Sequence, residues 1–304
     1  MPRIWGLEVT RPNAVYHIAN SIHFRRSFSR PKGLKKVGLT LVSMLRNEDP
    51  YVLDWLRFHS AIGVDRFVLY LNEDDADCIE RVAQLAHRDA EVRQKMELIH
   101  WPDVHGPVAA LLRPHGHPRR ARPTVQELAF RHFFRSFGDL TEYVLKIDVD
   151  EFVYRTDFES SGPRILDLLR FRGTYPIRGY NFGSSGEELY RPGPVPCRFV
   201  RREKEKTWVK SIAHVGTVHE HGFAHHFHGP QCVDDLPLAI NHYRIKSREE
   251  YVRNKVHISG YMAGKYAEEN FDELDLGHNA VADDAACRVY RRMLDTGESD
   301  PRLL

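Results

Sequence analysis

Tyr143-Val144-Leu145-Lys146-Ile147-Asp148-Val149-Asp150-Glu151-Phe152 decides how this chain is read. A mostly apolar run reads as a buried strand, and three carboxylates follow it at once, Asp148, Asp150 and Glu151. Buried charge without a partner costs several kcal/mol even after relaxation. The cluster therefore needs a cation, and hard oxygen ligands suit Mg2+, Mn2+ or Ca2+. An Asp-x-Asp triplet alone arises often by chance. At the carboxyl end of a strand in an α/β pattern it carries more weight, because open α/β sheets bind ligands there.

Upstream, Val37–Leu45 reads as a first buried strand. Asn47-Glu48-Asp49-Pro50 then opens a helix, with Asp49 as N-cap and Pro50 at the first position. Val52, Leu53, Leu56 and Ile62 recur at helical spacing, and Gly63 can stop that helix. Residues 67–71 and 96–101 read as strands around a helix over 76–87, and 124–137 is helical in pattern before the strand at 143–147. This alternation predicts an α/β fold with a mostly parallel, Rossmann-like central sheet flanked by helices and joined by right-handed crossovers. Downstream the pattern breaks up. It predicts a helix at 163–170 and short strands at 177–182, 197–200, 207–212 and 238–243, a smaller antiparallel portion. A helix over 247–266 opens on a capping box, Ser247 with Glu250, and a last helix covers 283–294. Residues 112–123, rich in Arg and Pro, read as a surface loop.

The chain has 304 residues, 42% hydrophobic and 28% charged, as expected of a soluble globular protein. No run approaches the roughly 18 apolar residues of a membrane span, and the first residues lack the apolar core of a signal peptide. Cys78, Cys197, Cys232 and Cys287 are far apart with no metal-ligand spacing. They read as reduced thiols, and the expected location is cytoplasmic. A net charge of +2 gives no reason to expect a nucleic-acid partner. Residues 1–36 are locally basic, with Arg3, Arg11, Arg25, Arg26, Arg30, Lys32, Lys35 and Lys36 against Glu8. This stretch reads either as a solvated leader or as a basic face for anionic lipid or a polyanionic acceptor, giving peripheral membrane contact. The expected organisation is a basic extension at 1–36, a main domain at 37–270 and a helical tail at 271–304 packed on it.

Several strings occur in a telling order: Arg46-Asn47-Glu48, Trp55 and His59 on the next helix, residues 63–72, Gln126, Asp148–Phe152, residues 182–186, then Asn241-His242-Tyr243-Arg244-Ile245-Lys246-Ser247 with Glu249, Glu250, Tyr251 and Lys255. Together they resemble the DxD-bearing glycosyltransferases of the family 2 superfamily, closest to the branch related to glycosyltransferase family 92. The likeness spans about residues 37–256. It implies a GT-A fold and a nucleotide-sugar donor, expected to be UDP-linked, with Mn2+ or Mg2+ as cofactor. Asp150 would hold the metal directly, and Asp148 would bind the ribose or the metal shell. His242 would complete that shell, and a neutral imidazole favours Mn2+. Lys246 and Lys255 would meet diphosphate oxygens. Arg46, Glu48, Asn72 and Asp74 or Asp75 would contact the nucleotide from the first two strand ends. Gln126 would either face the donor or brace its helix. Gly183, with Ser184, Ser185 and Gly186, would let backbone N–H groups hold sugar hydroxyls. The chain departs from many relatives at Cys197-Arg198-Phe199, where they carry an acid.

Inverting transfer, implied by the same resemblance, needs a general base within reach of the acceptor hydroxyl. Glu187, Glu188, Asp234 and Asp235 are candidates, with Glu187 or Asp235 preferred. The acceptor would be a glycan or a lipid-linked sugar. His214, His219, His221, His225, His226 and His228 lack zinc-like spacing. They read as structural or acceptor-side residues, as a separate metal site, or as contributors to the donor metal. Two other classes compete: a metal-dependent hydrolase using the Asp and His clusters, and a non-enzymatic nucleotide or polyanion binder.

Overall fold

The structure is a computed structural model that describes residues 3–4, 7–10, 33–46, 49–72, 80–82, 84, 89–101, 125–218, 227–232, 234–256 and 267–296. Its centre is a ten-stranded mixed sheet. The strands are β1 (Arg3–Ile4), β2 (Leu7–Thr10), β3 (Val37–Leu45), β4 (Arg66–Leu71), β5 (Met96–His100), β6 (Thr141–Lys146), β7 (Glu151–Arg155), β8 (Thr174–Asn181), β10 (Trp208–His214) and β11 (Leu238–His242). A separate antiparallel pair joins β9 (Arg201–Arg202) to β12 (Val281–Ala282). Across the large sheet the order is β1-β2-β5-β4-β3-β6-β10-β8-β11-β7.

From β2 to β6 every pairing is parallel. Strand β10 then runs against both β6 and β8, and β11 is parallel to β8 but antiparallel to β7. The expected α/β class with a mostly parallel half therefore holds. Residues 7–10, expected in an extension ahead of the domain, lie parallel to β5 at the sheet edge.

Alternation along β3 explains the layering. Leu39, Leu41 and Leu45 pack with Val52, Trp55 and Leu56 of the helix Asp49–Ala61 on one face. Val42 and Met44 pack with Phe130, Phe133 and Phe137 of the helix Val125–Phe137 on the other. Burying each such side chain contributes roughly 1.5–3 kcal/mol. Gly63, at φ 98°, ends the first helix in a left-handed turn that disfavours a side chain.

Several expectations are corrected. The 197–200 strand is instead a short helix, Val195–Arg198, because Pro194 and Pro196 favour a turn there. The 163–170 helix reduces to one 3-10 turn, Leu166–Leu168. Glu151 and Phe152 begin a strand, β7, that the sequence reading did not mark. The capping box at Ser247 and Glu250 is formed, yet Arg248–Tyr251 passes into a π turn, Val252–Val256. Residues 257–266, 76–79, 85–87 and 112–123 lie outside the described residues. The reading of four reduced thiols fails at Cys197 and Cys287, which form a disulfide across 90 positions. Their helices pack together, which spacing along the chain could not show. The cytoplasmic expectation rested on free thiols and loses that support. Cys232 is free and buried. No helix among the described residues is long and apolar enough to cross a membrane.

Candidate functional site

Strand direction gathers the site. Arg46, Asn72, Asp148, Asn181 and His242 stand at the carboxyl ends of β3, β4, β6, β8 and β11. The antiparallel strands β7 and β10 bring their amino ends, Glu151 and Trp208, to the same edge. Strand order reverses between β3 and β6, the kind of place where open α/β sheets bind ligands.

Asp150, Glu151 and His242 each place one ligand atom within 4.8 Å of the others. His242 Nε2 lies 3.5 Å from Asp150 Oδ2. Its Nδ1 lies 3.1 Å from Asn181 Oδ1. An amide oxygen only accepts, so His242 donates from Nδ1, and the neutral ring then carries its lone pair on Nε2, toward the acids. A set of two carboxylates and one bare imidazole nitrogen fits a divalent ion, Mn2+ above Mg2+.

Asp148, expected at the ribose or in the metal shell, is not one of these three. Its Oδ2 accepts from the Lys210 ammonium at 3.1 Å, and Gln126 Nε2 approaches Oδ1 at 3.5 Å. Lys210 also pairs with Glu151 Oε2 at 3.1 Å, and Glu151 accepts from the Asp148 backbone N–H. Sequence reasoning missed Lys210. Its one signal was a cation on the apolar face of an alternating strand, between Trp208 and Ile212. Burial works against the Lys210 charge, but Asp148 and Glu151 outweigh it and hold the ammonium above its ordinary range. Burial pushes the Glu151 carboxyl up to about 8; Lys210 opposes this, and the charges of Asp148 and Asp150 add to it. The two directions are compatible, because one lysine shared between two acids cannot satisfy both. A bound cation would reverse the Glu151 shift. Burial, then the nearby Lys210, brings Lys146 down to about 7; its ammonium lies 4.4 Å from the Phe130 ring centroid.

The stretch is buttressed from below. Trp55 Nε1 donates to the Glu151 carbonyl at 2.8 Å, and the Val153 N–H donates to His59 Nε2. Trp55 and His59 thus position the acid-bearing turn without reaching its carboxylates. Trp208 packs edge-on against His242, with centroids 5.0 Å apart.

Other predicted residues are placed differently. Asn72 is buried and donates to the Trp101 carbonyl, a brace between strand ends. Lys246 is buried at φ 59°, its ammonium 4.4 Å from the Tyr51 ring centroid. Arg46 is exposed at the end of β3. Gly183 does not offer its N–H outward: it donates to the Arg201 and His278 carbonyls. The Ser184 and Ser185 N–H groups go to Asp275 and Asn279. A Cβ at Gly183 would meet Asn279 at 2.5 Å, so this glycine is explained by close packing. Both Glu187 carboxylate oxygens are engaged by Arg191, and Glu188 pairs with Arg248. Asp235 is exposed before the start of β11, and the strand Leu238–His242 puts roughly 13 Å of extended chain between that end and His242. It therefore belongs to the opposite edge of the sheet. His214 is buried on β10, and His228 is exposed. Glu48, Asp74, Asp75, His219, His221, His225, His226 and the Lys255 side chain lie outside the described residues.

Comparison with known proteins points to one class, the glycosyltransferases. A family model, glycosyltransferase family 92, matches residues 38–272, and the chain belongs to that family. A glycosyltransferase family 92 protein of Ricinus communis is 25% identical, covering 88% of this chain and 47% of its own length. One from Oryza sativa subsp. japonica is 26% identical, covering 88% and 44%. The chain thus spans about half the length of the curated relatives it matches. Among solved structures, a mannosyltransferase from Pyrobaculum calidifontis in complex with GDP-Man and Mn2+ aligns at TM-score 0.29 and 14% identity, over 54% of this chain and 40% of that one.

Proposed function

We propose that the chain transfers a sugar from a nucleotide-sugar, UDP-linked by family resemblance, to a glycan or lipid-linked acceptor, with a divalent ion held by Asp150, Glu151 and His242. The observation that carries this is the meeting of those three side chains at the carboxyl edge of the sheet. When bound, the ion would offset the charge developing on the departing nucleoside diphosphate. Lys210 fixes the orientation of Asp148 and Glu151. Asp148, partly open and flanked by Gln126, would accept from a ribose hydroxyl. Lys246, held in a conformation that costs a non-glycine residue energy, is the diphosphate partner, and Arg46 meets the nucleotide. Of the two preferred bases, Glu187 stays on the site side of the chain, in the loop that follows β8. Inversion would require Arg191 to release one of its oxygens.

Calorimetry with UDP, with and without Mn2+, tests the reading. The wild type should bind UDP more tightly with Mn2+, and Asp150→Asn should abolish that gain with its fold intact. Unchanged binding in the variant sinks the metal assignment. Turnover of phosphoesters without an acceptor would favour the hydrolase. Glu187→Gln should lower kcat by about 10²- to 10⁴-fold while donor affinity holds; an unaffected kcat removes Glu187 as base.

A further inference from the structure

The His242 lone pair is aimed by a chain of hydrogen bonds that begins outside the acid cluster. Asn181 Nδ2 donates to Glu203 Oε1 and to Thr207 Oγ1, each at 3.0 Å. Thr207 in turn donates to Glu203 Oε1 at 2.7 Å, so its hydroxyl proton is spent and its oxygen can accept. The Asn181 backbone N–H also donates to Glu203 Oε1. A carboxylate only accepts, so this arrangement fixes which end of the Asn181 amide is nitrogen. The oxygen must then face His242, and Nδ1 of that histidine must carry the proton. A flipped amide would face Glu203 with an oxygen and lose both bonds.

We infer that Asn181, locked by Glu203 and Thr207, is a positioning residue that sets the His242 tautomer and thereby the affinity of the site for its divalent ion. This rests on the proposed metal role of Asp150, Glu151 and His242. The tautomer with Nε2 bare is the one able to donate a lone pair toward Asp150 and Glu151. With the amide absent, the proton can move to Nε2, and a ligand must be lost or rearranged before a cation binds. Partners of this kind on metal-ligating histidines typically change metal affinity 10- to 100-fold.

The test uses two readouts on the full chain. Nitrogen NMR of the metal-free protein should show His242 protonated at Nδ1 and bare at Nε2, and Asn181→Leu should abolish that preference. Mn2+ titration followed by electron paramagnetic resonance should show affinity falling about 10- to 100-fold in Asn181→Leu. Glu203→Leu leaves Asn181 in place but removes the acceptor that fixes its amide. It should lose the tautomer preference and part of the affinity, which a merely structural asparagine would not do. Wild-type protein with the proton on Nε2, or equal Mn2+ affinity in wild type and Asn181→Leu, overturns this inference alone. Wild-type protein that binds no Mn2+ at all overturns the metal reading beneath it.

Discussion

At about pH 9, where Glu151 is ionised, Lys210→Met is expected to destabilise the protein by about 3–5 kcal/mol, the cost of leaving a buried charge without its partner. Lys210 is fully buried, with its ammonium 3.1 Å from both Asp148 and Glu151. Methionine fills a similar volume but supplies no charge. Asp148 is 39% exposed along its side chain, so water can rescue it; Glu151, at 2%, has no such recourse. Adding Glu151→Gln to Lys210→Met should therefore restore most of the loss in a urea-unfolding comparison. A single-variant cost under about 1 kcal/mol, the range of exposed pairs, would show that the pair is solvated after all.

Acidification should cost stability through two neutral histidines. Burial holds His59 down to about 3, against a raising bond to the Trp55 carbonyl, and burial with Arg135 nearby does the same for His132. His59 sits between the Trp55 carbonyl and the Val153 N–H; His132 lies between the Tyr70 and Ser136 hydroxyls. Both pKa values are depressed, so the unfolded chain binds protons that the folded chain refuses between about pH 6.5 and 3. Stability is then full above the unfolded value and falls as pH drops below it. From pH 6.5 to 5 the two together remove roughly 3 kcal/mol. Unfolding midpoints across that window should fall less steeply in His59→Gln, which can still donate to Trp55 and accept from Val153. The same slope in wild type, His59→Gln and His132→Gln would refute the assignment.

The sequence was most legible where local rules and burial agreed. Strand β3 runs over the residues its apolar run marked, and Ser247 and Glu250 form their capping box. Asp150 and His242 come together because each lies at the end of a recognisable strand, and strand ends share one edge of a mostly parallel sheet. Three things were hidden for a common reason, since each depends on pairing between distant segments. Lys210 reaches Asp148 only because β10 runs backward between β6 and β8. Asn181 looked like an ordinary strand terminus until Glu203 and Thr207 fixed its amide. Gly183 carried the signal of a ligand loop, yet Asn279, from a tail outside the matched strings, fills the space beside it. Asp235 stands apart for a simpler reason: an acid near a histidine in sequence is distant when a strand separates them.

The Cys197–Cys287 disulfide divides the acid-bearing edge of the sheet into a tethered part and a free one. Closing a loop across 90 positions restrains the unfolded chain by roughly 4–5 kcal/mol in the chain-entropy picture. Inside that covalent ring lie Lys210, His242 and Lys246; outside it lie Asp148, Asp150, Glu151 and Asn181. With the bridge closed, folding docks a pre-shortened loop onto the strands that carry the acids, through the pairings of β10 with β6 and of β11 with β7. The histidine and the acids therefore meet by a non-local search, the slow kind of contact formation.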